Sequence, residues 1–222
     1  MTVSRWAGQL PTVKSKADLV HESLRTAIAD GTLAPGERVN MDELARSFGV
    51  SKIPVREAVK RLESQGLLTS RIHSGVTVAG VDRAEMRGVF LAREAIEGLV
   101  SGLAAENTSA ELLHELARIQ KAMRKALAAG TLDALPGLNS EFHQVLACAS
   151  GYRTLAELTE QLLLTIRRHR VTAPMDETNW QSVIQEHGAI IEAVRRGDAR
   201  AATTASRAHT AAQSQHEAAA AL

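Results

Sequence analysis

Histidines supply the clearest chemistry in this chain. His114, His143, His169, His187 and His209 all fall after residue 80. A lone histidine is ordinary core or surface, although neutral imidazole is the commonest biological metal donor. Spacing sorts them. His143 follows Asn139 by four residues in "LNSEFHQVLACASG", which places the two on one helix face. His187 lies ten residues before Gly197, and His209 lies eleven after Asp198. Two antiparallel helices turning at Gly197–Asp198 would hold both histidines at nearly the same height. Three histidines converging inside a helical bundle make a metal site with open positions for a ligand. Glu141 does not join them, because two residues along a helix turn it about 200° away from Asn139. His169 sits in "RRHR", which reads as a solvated basic face.

A second chemistry-bearing stretch runs from Ser51 to Leu62. Lys52, Arg56 and Lys60 recur at i, i+4 and i+8 and form one outward basic stripe. Val55, Ala58, Val59 and Leu62 anchor the opposite face. Ser51 and the free N–H groups of the first turn suit a phosphate oxygen. Arg56 can read guanine with its fork or bind phosphate. Arg46, on the preceding helix, is placed to clamp the backbone. Arg71 and His73 would reach an adjacent groove.

The elements that must position these residues follow from composition and pattern. Apolar residues make up 45% and aromatics only 3%, with Ala and Leu throughout, so a buried, mainly helical core is expected. A lone Cys148 excludes an internal disulfide framework and a cysteine-based zinc finger. No apolar run reaches membrane length and the N-terminus carries no signal-peptide core, so a soluble cytoplasmic protein with no membrane partner is expected. Charge divides unevenly: 11 Lys+Arg against 8 Asp+Glu up to Val78, and 15 against 17 after it. Any polyanion-binding half is therefore the N-terminal one.

Residues 17–28 have helical spacing. "NMDELARSFGVSKIPVREAVKRLESQGLL" then reads as two short helices about Gly49, with Asn40 and Ser51 as caps and Leu44, Ala45 and Phe48 facing inward. Pro54 falls in a first helical turn, where its missing N–H costs little. "LLTSRIHSGVTVAG" alternates about "HSG" and reads as a β-hairpin wing. Beyond it six helical segments follow, opened by caps at Asp82, Thr108 and Asp198 and punctuated by Gly130, Gly151, Pro174 and Gly197. The predicted architecture is mainly α: a winged helix-turn-helix over residues 1–80 and an antiparallel helical bundle over 81–222, which binds effector and dimerises.

"GTLAPGERVNMDELARSFGVSKIPVREAVKRLESQGLL" resembles the winged-helix domain of the GntR family of bacterial transcription regulators. The run "VSxxPVREAxxxLxxxGL" is the specific part, and the resemblance spans Ala17 to Val78. It implies that Arg38, Ser51, Lys52 and Arg56 lie at the DNA. Lys52 stands where many members carry arginine, giving a point charge and not a fork. "FLAREAIEGLVSGLAAE", "EFHQVLACASG" and "EHGAIIEAVRRGDARAATTASRAH" resemble the FCD effector domain of the FadR-like subgroup, from about Ala84 to His209. That resemblance implies a divalent ion, zinc- or nickel-like, held by Asn139, His143, His187 and His209. It also implies a small carboxylate effector beside the ion, with Arg93 suited to that carboxylate. Asn139 stands where the family most often has Asp, so one negative charge is missing from the ligand set.

The function expected is that of a homodimeric repressor that binds double-stranded operator DNA and responds to a small organic acid. A metal-dependent hydrolase is the rival from another class. It would need a general base, and neither an HExxH helix nor a well-placed carboxylate is evident. A DNA-binding protein without effector is the third reading.

Overall fold

The computed structural model describes residues 14–71, 75–80, 83–172 and 174–219. The expected cap at Asp82 and the wing residue His73 lie outside the described residues, as does the side chain of Arg71. Among the described residues, nine α-helices and three short strands form two units that divide near residue 79, with residues 29–35 grouped with the second.

The first unit contains α1 (Lys16–Ala29), β1 (Arg38–Val39), α2 (Met41–Ser47), α3 (Lys52–Ser64), β2 (Leu68–Arg71) and β3 (Gly75–Val78). Asn40 caps α2 by accepting from the N–H groups of Asp42 and Glu43. Gly49, at φ +61°, turns the chain into α3. Val55, Ala58, Val59 and Leu62 on α3 are buried, as are Val20, Leu24 and Ile28 of α1. Arg61 donates to Asp18 across 2.6 Å and ties α3 to α1 at the surface. Phe48 departs from expectation: it follows the seven-residue α2 as its C-cap and stays 37% exposed. The wing is also larger than a hairpin. β1 adds to it, giving an antiparallel sheet of order β1-β3-β2 with Val39 opposite Val76 and Leu68 opposite Val78. A two-residue strand carries too little periodicity to be read from sequence.

The second unit is the bundle: α4 (Arg83–Glu106), α5 (Ala110–Ala128), α6 (Leu135–Ala149), α7 (Arg153–Thr172), α8 (Glu177–Arg195) and α9 (Ala199–Ala219). Ser109, one residue after Thr108, caps α5 through a bond from the Leu112 N–H. α6 begins at Leu135, earlier than the stretch from Leu138 indicates, with Pro136 in its first turn where no donor is lost. Leu112, Leu116, Ile119 and Met123 of α5 pack with Phe142 and Leu146 of α6 and Trp180, Val183 and Ile190 of α8.

Two features of this core position the site. α4 and α9 approach closely because Gly98 and Gly102 leave room: a Cβ on Gly98 would meet Arg207, and one on Gly102 would meet Thr203. Second, the inward stripes of α6, α8 and α9 contain polar residues. On α9 the buried positions are Ala202, Ser206, His209, Thr210 and Gln213, a helical period with little apolar content. A buried polar stripe is costly unless it is satisfied. The "RRHR" run is not a solvated face: Arg168 and Arg170 are buried, and Arg168 lies 3.6 Å from Glu85.

Candidate metal centre and DNA-contact face

α6, α8 and α9 deliver His143, His187 and His209 to one point. All three are buried to within 1% exposure, and each offers a ring nitrogen within 4.8 Å of the others. The Phe142 ring stacks on His187 at 3.8 Å between centroids and 8° between planes, which fixes that imidazole's orientation. Burial, together with the charge of Arg93 and the neighbouring histidines, holds His143 and His187 well below the ordinary histidine range. Both are therefore neutral lone-pair donors at physiological pH.

One hydrogen bond and one longer carboxylate contact bear on the tautomers. His209 Nδ1 lies 2.6 Å from Glu186 Oε2, and His143 Nδ1 lies 3.3 Å from Glu97 Oε2. A carboxylate only accepts, so His209 Nδ1 carries the proton and its Nε2 presents a lone pair, and the Glu97 carboxylate beside His143 Nδ1 favours the same tautomer there. Those two Nε2 atoms face each other across 3.2 Å. Gln213 Nε2 donates to His209 Nε2 across 2.6 Å. Arg93 sets that amide's orientation by donating from Nη1 to Gln213 Oε1 across 3.3 Å.

His187 makes no hydrogen bond through either ring nitrogen, although it is fully buried, and Asn139 Oδ1 is buried and unpartnered as well. Orphaned acceptors in a dry core cost on the order of 1–3 kcal/mol each. A divalent cation would take one nitrogen from each of the three imidazoles, and the buried, unpartnered Asn139 Oδ1, one helical turn before His143 on α6, fits as a fourth donor. Glu141 faces outward and pairs with Arg118, so it contributes nothing to the ring.

Arg93 is fully buried. Its Nε donates to Glu97 Oε1 at 2.6 Å and its Nη2 to Glu97 Oε2 at 3.2 Å. Thr210 Oγ1 also donates to Glu97. Glu97, Glu186 and Gln213 are residues that the sequence reading missed. A signal for Glu186 was present: it lies eleven residues before Gly197, and His209 lies eleven after Asp198. Gln213 shares a face with His209 at i+4, and Glu97 shares one with Arg93.

In the first unit, Lys52, Arg56 and Lys60 are all exposed along α3, as are Arg46 on α2 and Arg38 on β1. Ser51 is the N-cap of α3 and makes no side-chain cap bond. A shallow cleft about the turn is lined by Asp42, Arg46, Gly49, Ser51 and Lys52. Lys52 Nζ pairs with Asp42 at 2.7 Å, so an acidic group shares the basic stripe. Gly75, at φ +80°, leaves room for the Arg38 guanidinium to lie across the wing.

Comparison with known proteins places two family models on the chain. Residues 16–78 match the model of the bacterial regulatory proteins of the gntR family, and residues 88–212 match the FCD domain. The chain is 31% identical over 183 residues to the HTH-type transcriptional regulator YdhC of Bacillus subtilis strain 168, covering 82% of each. It is 29% identical to a probable D-xylose utilization operon transcriptional repressor of Paenarthrobacter nicotinovorans, covering 88% of this chain and 86% of that one. Its fold is similar to that of E. coli McbR/YncC, with a TM-score of 0.80, 24% identity, and coverage of 93% of this chain and 97% of that one. Among the described residues no helix is long and apolar enough to cross a membrane.

Proposed function

The chain belongs to the GntR family of bacterial transcription regulators and carries an FCD domain, and from that premise we propose that it is a metal-dependent, effector-controlled repressor. Residues 1–80 bind operator DNA and residues 81–222 bind metal and effector and form a homodimer, acting in the cytoplasm. Arg38, Arg46, Lys52, Lys60 and Arg71 contact phosphates, Ser51 and the α3 N-terminus receive one phosphate, Arg56 reads a base edge, and His73 enters the adjacent groove. His143, His187, His209 and Asn139 hold a zinc- or nickel-like ion.

The bound ion would supply a Lewis-acidic centre with open positions for an anion. Arg93 contributes a guanidinium beside it whose Nε and Nη2 are already paired with Glu97. Among the described residues its Nη1 is held by a neutral amide at 3.3 Å. An effector carboxylate makes a stronger, charge-assisted bond than that amide and would displace it. Binding there alters the packing of α9 against α4, and the difference in affinity between two arrangements of the bundle is what changes DNA affinity.

The observation that carries this proposal is the convergence of three buried imidazoles with unpartnered nitrogen and amide-oxygen acceptors. The test is fluorescence anisotropy with the DNA upstream of the protein's own coding region, run with and without zinc and a panel of small carboxylic acids. Specific, salt-sensitive binding that weakens with one acid, and only in metal-loaded protein, is the expected result. Specific binding indifferent to metal and to every acid would overturn the effector reading and leave a constitutive repressor.

A further inference from the structure

The donor ring is short of charge. Three neutral imidazoles and the Asn139 amide bring no negative charge to a divalent ion in a dry core, where an uncompensated charge is expensive. Two carboxylates stand just outside the ring, and they differ. Glu97 receives two bonds from Arg93, so its charge is offset locally. Glu186 pairs with no lysine or arginine among the described residues and reaches the ring only through His209. Its bond to that imidazole is the shorter of the two carboxylate contacts, 2.6 Å against 3.3 Å. A carboxylate accepting from the far nitrogen of a metal-binding imidazole fixes its tautomer and raises its basicity.

We infer that Glu186 is the positioning residue that supplies, through His209, the negative charge that Asn139 does not bring to the metal. Glu97, neutralised by Arg93, only orients His143. The metal centre is then a carboxylate–imidazole site with its anion displaced one bond outward, from α6 to α8. This inference rests on the metal reading above. It also assigns Glu186, some 30% exposed on α8, a role that its position on the rim of the bundle does not suggest.

The experiment is zinc affinity by competition with a chromophoric chelator on the full-length protein, using Glu186→Gln, Asn139→Asp, the two combined, and His187→Ala. Glu186→Gln keeps the shape at a partly exposed position, and circular dichroism and the metal-free melting midpoint should be unchanged. Zinc affinity should fall roughly 10- to 100-fold. Asn139→Asp should recover most of that loss in the Glu186→Gln background, because it returns a carboxylate to the ring. A merely structural role for Glu186 would not be repaired from Asn139. Unchanged zinc affinity in Glu186→Gln, with loss in His187→Ala, would overturn the assignment while the metal reading stands. A weakening that Asn139→Asp does not repair would overturn it equally. If His187→Ala also binds zinc like the parent, the metal reading itself fails.

Discussion

His143 Nε2 and His209 Nε2 stand 3.2 Å apart, each with its ring turned so that the other nitrogen meets a carboxylate. Two acceptors at that distance repel unless a cation or a proton lies between them. Metal binding should therefore relieve an unfavourable contact as well as form new ones. At zinc concentrations near 100 times the dissociation constant, binding contributes about 2.7 kcal/mol. For a chain of this length that is a rise in melting midpoint of about 5–10 °C. Differential scanning fluorimetry of chelator-stripped protein with zinc added back measures it. His187→Ala should lose most of the rise, and a full rise in that variant would remove His187 from the ligand set.

The same burial predicts acid sensitivity of the metal-free protein. His143 and His187 are held well below their ordinary value of 6.5, chiefly by desolvation. Below that value the unfolded chain binds protons that the folded chain refuses, so stability falls as pH drops and is level above it. The slope is at most about 1.4 kcal/mol per pH unit for each histidine. The melting midpoint of stripped protein should fall between pH 7.5 and 5.5. His187→Phe, which keeps a ring stacked on Phe142, should lessen the fall. Equal pH dependence in parent and variant would contradict a neutral buried His187.

The sequence made the winged helix and the His143–His187–His209 set legible because each depends on local periodicity or on the mirror spacing about Gly197–Asp198. It did not reveal Glu97 and Gln213, whose roles arise only where α4 and α9 meet. That meeting depends on Gly98 and Gly102, whose small size signals close approach without naming the partner. The buried arginines of "RRHR" misled for a related reason. Charge argues for solvent, and Arg168 overrides it by reaching Glu85 on another helix. Strand β1 escaped notice because its two residues pair with a strand far along the chain.

On the proposed DNA face, Asp42 opposes the basic stripe. Its pair with Lys52 is exposed on both sides and contributes about 0–1 kcal/mol to stability. Near phosphates the same carboxylate repels and occupies a lysine. Asp42→Asn should therefore tighten DNA binding, by up to about fivefold at low salt, with little change in the melting midpoint. Arg56→Ala should weaken binding strongly and leave circular dichroism unchanged. A phosphate role for Arg56 lowers affinity for all sequences alike and reduces the salt slope by about 1, whereas a base-reading role relaxes one operator position. Anisotropy titrations over a salt series, with operator and scrambled DNA, distinguish these. Unaltered affinity in Arg56→Ala would exclude it from the interface.

Gly102 offers a test of how the α4–α9 contact serves the proposed metal centre. Glycine inside a helix costs about 1 kcal/mol relative to alanine, so propensity alone favours Gly102→Ala. The contact argues the other way. A Cβ there would lie 2.5 Å from Thr203 Oγ1 and 3.3 Å from the Ala199 carbonyl oxygen. The hydroxyl can rotate away, but the backbone oxygen at the start of α9 cannot move without shifting the helix. Overpacking of this kind costs typically about 1–3 kcal/mol, which exceeds the propensity gain. Gly102→Ala should therefore lower the melting midpoint. Because α9 carries His209, Thr210 and Gln213, an outward shift should also lengthen the His209–His143 approach and weaken zinc binding. Leu127→Ala on α5, packed against the apolar core, provides a control with comparable destabilisation. If both variants lose stability but only Gly102→Ala loses zinc affinity, the helix separation sets the metal geometry. If zinc affinity is retained in Gly102→Ala, the close approach serves packing alone.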